Sequence, residues 1–557
     1  MSPVQLLTHF DRISEAPSAI PRLRRFILDL AVRGKLVGQD PSDEPAAALV
    51  KRIQEARLRL AKRGEIKRWD SLQPIEDHEL PFELPVHWAL VRLGEALDLI
   101  NGRAFKPTDW TDTGLPIIRI QNLNALNAPF NYCDKPIPEK CHVSTGDFLI
   151  SWSGTPGTSF GAHIWDRGDA LLNQHIFRAE LIGDAFVTPF LKLAINSRLF
   201  ELIDQAHGGV GLQHITKPKL ERLPLTLPPL AEQHRIVAKV EELMGLCDRL
   251  EAVQAERESR RDHLVAAALH RLNQAKDESD FREQARFYLG HLPRLTTRPE
   301  HIQQLRQTIL DLAVRGKLVP QDPNDEPAPE LLKRIKAEKK RQIADGQLKK
   351  QEALPEVRPD EAWFTVPAGW SWVRLGTITH VLMGQSPPGE TYNKTSEGIP
   401  LINGPVEFTE GPFGKTVINQ YTTAPTNLCE EGDLLICVRG STTGRTNIAG
   451  FRACIGRGVA AIRLFFADHY VRLFIWRLRA SIIAMGRGIA FPSVSRQQIE
   501  ELPVPLPPLA EQHRIVAKAD ELMGLCDRLE TQLTTAQTES RRLIESVLHQ
   551  TRNGGRY

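Results

Sequence analysis

Residues 228–251 read PPLAEQHRIVAKVEELMGLCDRLE, and residues 507–530 read PPLAEQHRIVAKADELMGLCDRLE. The two stretches differ only at Val240 against Ala519 and Glu241 against Asp520. A second pair of blocks recurs at a similar offset. LDLAVRGKLV stands at 28–37 and again at 310–319, followed by QDPSDEPA at 39–46 and QDPNDEPA at 321–328. The offsets are 279 and 282 residues, about half of the 557-residue chain. A solenoid repeats at roughly 20–50 residues, so this is instead one duplicated unit.

The repeated block predicts a long helix. Residues 230–275 hold no proline and one glycine, Gly245. Ile236, Val240, Leu243, Cys247 and Leu250 recur at spacings of 4, 3, 4 and 3, a seven-residue apolar repeat. Pro228 and Pro229 stand where a helix start tolerates them. Such a helix is on the order of 65 Å long. The second copy places Ile515, Ala519, Leu522, Cys526 and Leu529 on the same stripe, continuing to Leu533, Leu543 and Val547. A stripe must be covered, and the other copy is the expected cover, which gives an antiparallel pair. The alternative is that each stripe packs on its own neighbouring domain. Cys247 and Cys526 read as small hydrophobes.

Between the matched blocks the halves diverge and share only landmarks: WALVRLG at 88–94 against WSWVRLG at 370–376, and GDFLIS at 146–151 against GDLLIC at 432–437. Residues 86–227 and 366–506 carry short β-branched runs punctuated by Gly, Pro and Asn. Examples are PIIRI at 116–120, DFLISWS at 147–153, DLLICV at 433–438 and AAIRLFF at 460–466. Helical stretches follow at 188–206 and 468–485. The expected fold class is therefore α+β: two mixed α/β domains, separated and joined by long helices in an antiparallel coiled coil, with an internal pseudo-two-fold repeat. The expected segments are a helical region at 1–85, an α/β insert at 86–227 and a long helix at 228–285. The helical repeat at 286–365, the second insert at 366–506 and the second long helix at 507–557 follow. Two charged helices, at 48–68 and 331–350, could face phosphates or water.

Composition is that of an ordinary globular protein, 41% hydrophobic and 25% charged. Lys plus Arg is 71 against 68 for Asp plus Glu, a net +3, so any nucleic-acid surface must be local. No stretch reaches the roughly 18 uncharged apolar residues of a membrane span, and no signal peptide is read at the N-terminus. Seven cysteines without a C-x-x-C point to reduced thiols and a cytoplasmic location, with neither disulfide framework nor zinc ribbon.

Motifs for chemistry are missing. There is no H-E-x-x-H and no G-x-S-x-G. GSTTGRT at 440–446 is one residue short of a P-loop and has Arg445 in place of its lysine. Asp360 and Glu361 lack the following lysine of a nuclease carboxylate cluster, and the histidines show no metal-ligand spacing. No catalytic or metal site is expected. The inserts do offer side chains that read bases: arginine pairs bidentately with guanine, and asparagine or glutamine with adenine. Candidates in the first insert are Arg103, Lys106, Arg119, Gln121, Asn122, Asn173, Gln174 and Lys217. In the second they are Gln385, Asn403, Arg439, Ser441, Thr442, Arg445, Arg457 and Arg487.

These paired blocks, with W-x-x-V-R-L-G opening each insert, resemble the specificity subunits of type I restriction–modification systems. The resemblance covers nearly the whole chain. It implies that each insert is a target recognition domain for one half of a split sequence in double-stranded DNA. The long helices would space the two and dock two modification (methyltransferase) subunits, with restriction (translocase–nuclease) subunits joining them. S-adenosylmethionine, ATP and Mg²⁺ would belong to those partners, and this subunit would need no cofactor. The competing classes are a free-standing DNA methyltransferase or nuclease and a scaffold that reads no sequence.

Overall fold

The computed structural model describes residues 19–66, 74–76, 79–80, 82–125, 127–153, 160–205, 215–349, 352–409, 414–466, 470–485 and 493–553. The chain folds into two compact units. One comprises 1–257 with 537–557, the other 258–536. Each holds one copy of the repeat.

The matched blocks are kept because they meet. In the first unit the Trp88 indole Nε1–H donates to Glu232 Oε2 at 3.0 Å, and Gln39 Nε2 donates to Glu232 Oε1 at 2.7 Å. Arg235 grips Asp43 through both nitrogens, at 3.2 and 2.6 Å. In the second unit Trp370 and Gln321 donate to Glu511 at 2.8 and 2.6 Å, and Arg514 grips Asp325 at 3.3 and 2.6 Å. The W-x-x-V-R-L-G, Q-D-P and A-E-Q-H-R blocks thus converge on one buried carboxylate. Glu232 and Glu511 are each 1% exposed. Burial pushes both carboxyls above the ordinary range, and the indole and amide donors partly offset this. Gly34 and Gly316 have φ of +67° and +68°, and a Cβ there would sit 2.9 Å from the ring of Trp88 or Trp370. Only glycine serves both demands. Arg92 and Arg374, from the same blocks, hold Glu79 and Glu361. Glu361 is thereby kept ionised, at a pKa of about 2, as a structural anchor.

The long helices are Leu230–Asn273 and Leu509–Asn553. Each starts in one unit and ends in the other, in opposite order. Their stripes are largely buried, and a further helix in each unit shares in covering them. Ile236, Val240 and Cys247, with the partly buried Leu243 and Leu250, pack with Ile20, Leu23 and Ile27 of the helix Ala19–Val32. Ile515, Ala519 and Cys526, flanked by Leu522 and Leu529, pack with Ile302, Leu305 and Ile309 of the helix Pro299–Val314. That second cluster also takes in Val265, Ala268 and Leu269 of the first long helix, which lie beyond its stripe. The two long helices therefore share one apolar core at this end. In each unit a third helix, which runs into the LDLAVRGKLV block, packs on the stripe as well. Arg24 ties it to Asp248 and Glu251 at 2.6 and 2.8 Å, and Arg306 ties its counterpart to Asp527 and Glu530 at 2.5 and 2.8 Å. The Cys526 thiol is pushed up to about 11 by burial and packs as an apolar group.

Each insert is closed by a two-stranded clasp, Ala89–Arg92 with Pro224–Leu227 and Ser371–Arg374 with Pro503–Leu506, both antiparallel. Between them lie two sheets. In the first insert the antiparallel sheet runs Leu97–Asn101, Ile176–Leu181, Phe148–Ser151, Gly161–Ile164. The second insert repeats it with Thr379–Met383, Val459–Leu464, Leu434–Cys437 and Thr446–Ile448. The mixed sheet of each insert contains one parallel pair, Leu115–Ile118 with Ala170–Leu172 and Ile399–Ile402 with Ala453–Ile455. The predicted helix at 188–206 is Thr188–Gln205. Its counterpart is broken at Leu478 into Tyr470–Arg477 and Arg479–Met485. The charged helices, Ala46–Lys62 and Ala328–Ala344, bury one face each. Arg57 donates to the carbonyls of Gly94 and Glu95, and Lys339 to that of Gly376.

Candidate nucleic-acid interface

In each insert the parallel pair and the first antiparallel strand deliver their chain ends to one edge. The backbone there is the same twice over. Gly102 N–H donates to the Ile176 carbonyl at 3.3 Å, and Arg103 N–H to that of Leu172 at 2.9 Å. Gly384 N–H donates to Val459 and Gln385 N–H to Ile455, both at 2.9 Å. Arg103 and Gln385 therefore occupy one position, and Asn173-Gln174-His175 matches Gly456-Arg457-Gly458. Further along, Trp152 N–H reaches the His175 carbonyl and Val438 N–H that of Gly458, so Ser153 corresponds to Arg439. Ile118 pairs with Leu172 as Ile402 pairs with Ile455, so Arg119 corresponds to Asn403. The strand ends approach so closely that a Cβ at Gly102 or Gly384 would fall 2.0 or 2.1 Å from the carbonyl oxygen of Asn173 or Gly456.

In the second insert this edge opens as a cleft of about 870 Å³. Ser386, Tyr392, Asn403, Arg439, Arg457 and Ser493 line it. Three of the sequence candidates are thus brought together. Arg439 and Arg457 are exposed and Asn403 is half-buried. The Ser386 hydroxyl accepts the Arg457 N–H at 3.2 Å, which fixes the turn that carries the arginine. Tyr392, Ser386 and Ser493 were not legible as candidates. A lone tyrosine in a two-residue strand and two serines carry no motif, although G-Q-S-P at 384–387, just after a strand, marks a tight turn. Gln385 is exposed beside the cleft.

At the first edge, Gln174 is exposed, Arg103 half-buried and Asn173 half-buried. Arg103 lies 3.7 Å from Asp109 and over the Phe105 ring, 5.5 Å from its centre. The Asn173 Oδ1 accepts the Gln174 N–H at 2.6 Å. Lys106 and Gln121 are exposed. Arg119 donates to the Pro129 carbonyl at 3.1 Å.

Four candidates are corrected by their surroundings. Asn122 is fully buried: its Oδ1 accepts the Arg119 N–H at 3.0 Å and its Nδ2 donates to Ala128 and Pro129 at 3.2 and 3.3 Å. It caps a 3₁₀ turn, as Glu407 does by accepting the N–H groups of Asn403 and Gly404. Lys217 donates to the Leu99 carbonyl at 2.6 Å and pairs with Glu221 at 3.7 Å, so it staples a helix to a strand. Arg445 is half-buried and donates to the Phe408 carbonyl at 3.2 Å. Thr442 is turned onto the buried Cys437 thiol, whose pKa burial nonetheless raises to about 11. Ser441 is exposed in the same loop. Arg487 lies outside the described residues.

Among the described residues no group of three or more His, Cys, Asp and Glu side chains could hold a metal, and no helix is long and apolar enough to cross a membrane.

Residues 85–258 and 367–536 each match the type I restriction modification DNA specificity domain. The chain belongs to this family. Two relatives from Escherichia coli match along almost their full length. The type I restriction enzyme EcoAI specificity subunit is 30% identical over 556 residues, covering 95% of this chain and 93% of the relative. The EcoEI specificity subunit is likewise 30% identical, over 562 residues with the same coverage. A solved chain, described under complex assembly and conformational transition of the type I R-M system, shares the fold with a TM-score of 0.54. It is 22% identical and covers 85% of this chain and 99% of its own. The two specificity domains each comprise one insert and the first part of the long helix that follows it.

Proposed function

We propose that this chain is the DNA-reading subunit of a type I restriction–modification complex and performs no chemistry itself. Residues 86–227 and 366–506 act as target recognition domains, each reading one half of a bipartite target. The helical segments 1–85, 228–285, 286–365 and 507–557 form the frame that holds them and docks two methyltransferase subunits, with restriction subunits completing the endonuclease. S-adenosylmethionine, ATP and Mg²⁺ belong to those partners.

One observation carries this reading. The two edges are built on the same backbone hydrogen bonds yet present different base-reading side chains, Arg103 and Gln174 in one and Gln385 and Arg457 in the other. A frame that repeats while its contacts differ suits a protein that reads two unlike sequences. The near-neutral net charge of +3 fits as well, since sequence-independent phosphate attraction then falls largely to the partners.

The test is an exchange of residues 100–215 for the corresponding segment of another specificity subunit, followed by mapping of methylated sites in a complex with the methyltransferase subunits. One half of the methylated sequence changes and the other is retained. A change in both halves, or methyl transfer by the purified chain alone, refutes the reading.

A further inference from the structure

Arg103 and Gln385 stand at one backbone position, and Gln174 and Arg457 at another, as the paired hydrogen bonds to Leu172 and Ile176 and to Ile455 and Val459 establish. Each edge therefore offers one arginine and one glutamine from the same two places, in opposite order. The two places are neighbours: Arg103 bridges to Asn173, one residue before Gln174. Adjacent strands lie about 5 Å apart, and Gln174 follows Asn173 in the turn, so the two long side chains start close enough together to be directed at neighbouring base pairs.

We propose that these two positions form a specificity pair used in reversed sense by the two domains. Arg103 and Arg457 select a guanine, Gln174 and Gln385 an adenine, and the two contacts are transposed between the half-sites. The inference rests on the reading that the inserts recognise DNA, and it adds which positions do so and for which bases. Phosphates are the alternative partner for an arginine. They are the same in every sequence, so a phosphate clamp would keep its cation at a constant place on a repeated backbone. Here the cation changes place and the amide changes with it. The surroundings agree. Arg457 projects from a turn fixed by Ser386 into a cleft that also holds Asn403 and Tyr392, a polar and an aromatic side chain suited to base edges and faces. Arg103 is flanked by Asp109 and the Phe105 ring, which limit its rotamers.

The experiment uses the complete chain assembled with its methyltransferase subunits, acting on genomic DNA from a host that lacks the modification. The variants are Gln385→Arg with Arg457→Gln, singly and together. Each single change lowers methylation of the original motif roughly 10- to 100-fold, the discrimination of one bidentate contact. The double change restores methylation at a motif in which guanine and adenine are exchanged at two positions of one half, while the other half is unaltered. The mirrored pair, Arg103→Gln with Gln174→Arg, does the same to the other half and guards against misfolding of one variant. An unchanged motif overturns the proposal. So does an even loss of methylation at all sequences with a salt dependence lowered by about one counterion, which marks a phosphate contact; in both cases the recognition function itself survives. Methylation without any sequence preference by the unaltered complex would instead refute that function.

Discussion

The node at Trp88 and the edge at Arg103 lie in one unit, and each has a counterpart in the other, but duplication has treated them differently. At the node every donor and acceptor is the same twice, down to Trp-to-Glu distances of 3.0 and 2.8 Å. At the edge only the main-chain hydrogen bonds are the same, and the side chains are replaced. A buried carboxylate allows little freedom, because any partner removed leaves a desolvated group unpaired. A strand end whose register is fixed by its own N–H groups leaves the side chain free to vary. That contrast explains how the molecule keeps one frame and two reading surfaces.

The largest effect that tests it lies in the frame. Ile236→Asp and Ile515→Asp place a charge where exposure is 0%, and each destabilises by several kcal/mol. Leu243→Asp and Leu522→Asp, on half-buried stripe positions, cost less. Chemical denaturation of the four variants checks the order, and equal losses would mean that the helices Ala19–Val32 and Pro299–Val314 do not cover the stripes. Next come Glu232→Ala and Glu511→Ala, each leaving a buried indole N–H unpaired at a cost of roughly 1–3 kcal/mol. The two losses should match closely in thermal melts. A clear inequality would show that the nodes are alike in geometry and not in energy.

The last test separates the inserts by pH. His380, on the strand Thr379–Met383, is held at a pKa of about 4 by burial and by Arg496, Arg463 and Lys339, with Asp433 opposing. Its counterpart in the first insert is Asp98, at the same place on the strand Leu97–Asn101. The folded form resists protonation that the unfolded chain accepts near pH 6.5, so stability of the second insert rises with pH from about 4 to about 6.5 and is level above. His380→Gln flattens this slope in denaturation midpoints measured at pH 4.5 and 7. An unchanged slope would assign it to other groups.

Much of the frame was legible. The seven-residue stripe and the flanking prolines gave both long helices and their starts, because periodicity reports burial directly; the first ends at Asn273, short of the expected 285, and a separate helix follows at Glu278–Gly290. What covers a stripe is not written in its own period, so the packing of the helix Ala19–Val32 on the stripe, tied by Arg24 to Asp248, came only from the structure. The node was invisible for a related reason: Gln39, Trp88 and Glu232 are far apart in the chain, and each block looks complete alone. At the edge, residue type pointed to Arg103, Gln174, Asn403, Arg439 and Arg457, yet type says nothing of exposure. Asn122 and Lys217 carry the right chemistry and spend it on backbone carbonyls and a neighbouring carboxylate. The R-x-x-N spacing at 119–122 was a cap signal that outranked the base-reading one.

The last helix also governs the order of events at birth. Residues 537–553 complete the first unit, where Arg22 pairs with Glu545 at 2.8 Å and Ile544 is 1% exposed. At roughly 5–20 residues per second, a ribosome that has finished Arg257 needs some tens of seconds more to deliver that segment. The unit translated first is thus the one completed last.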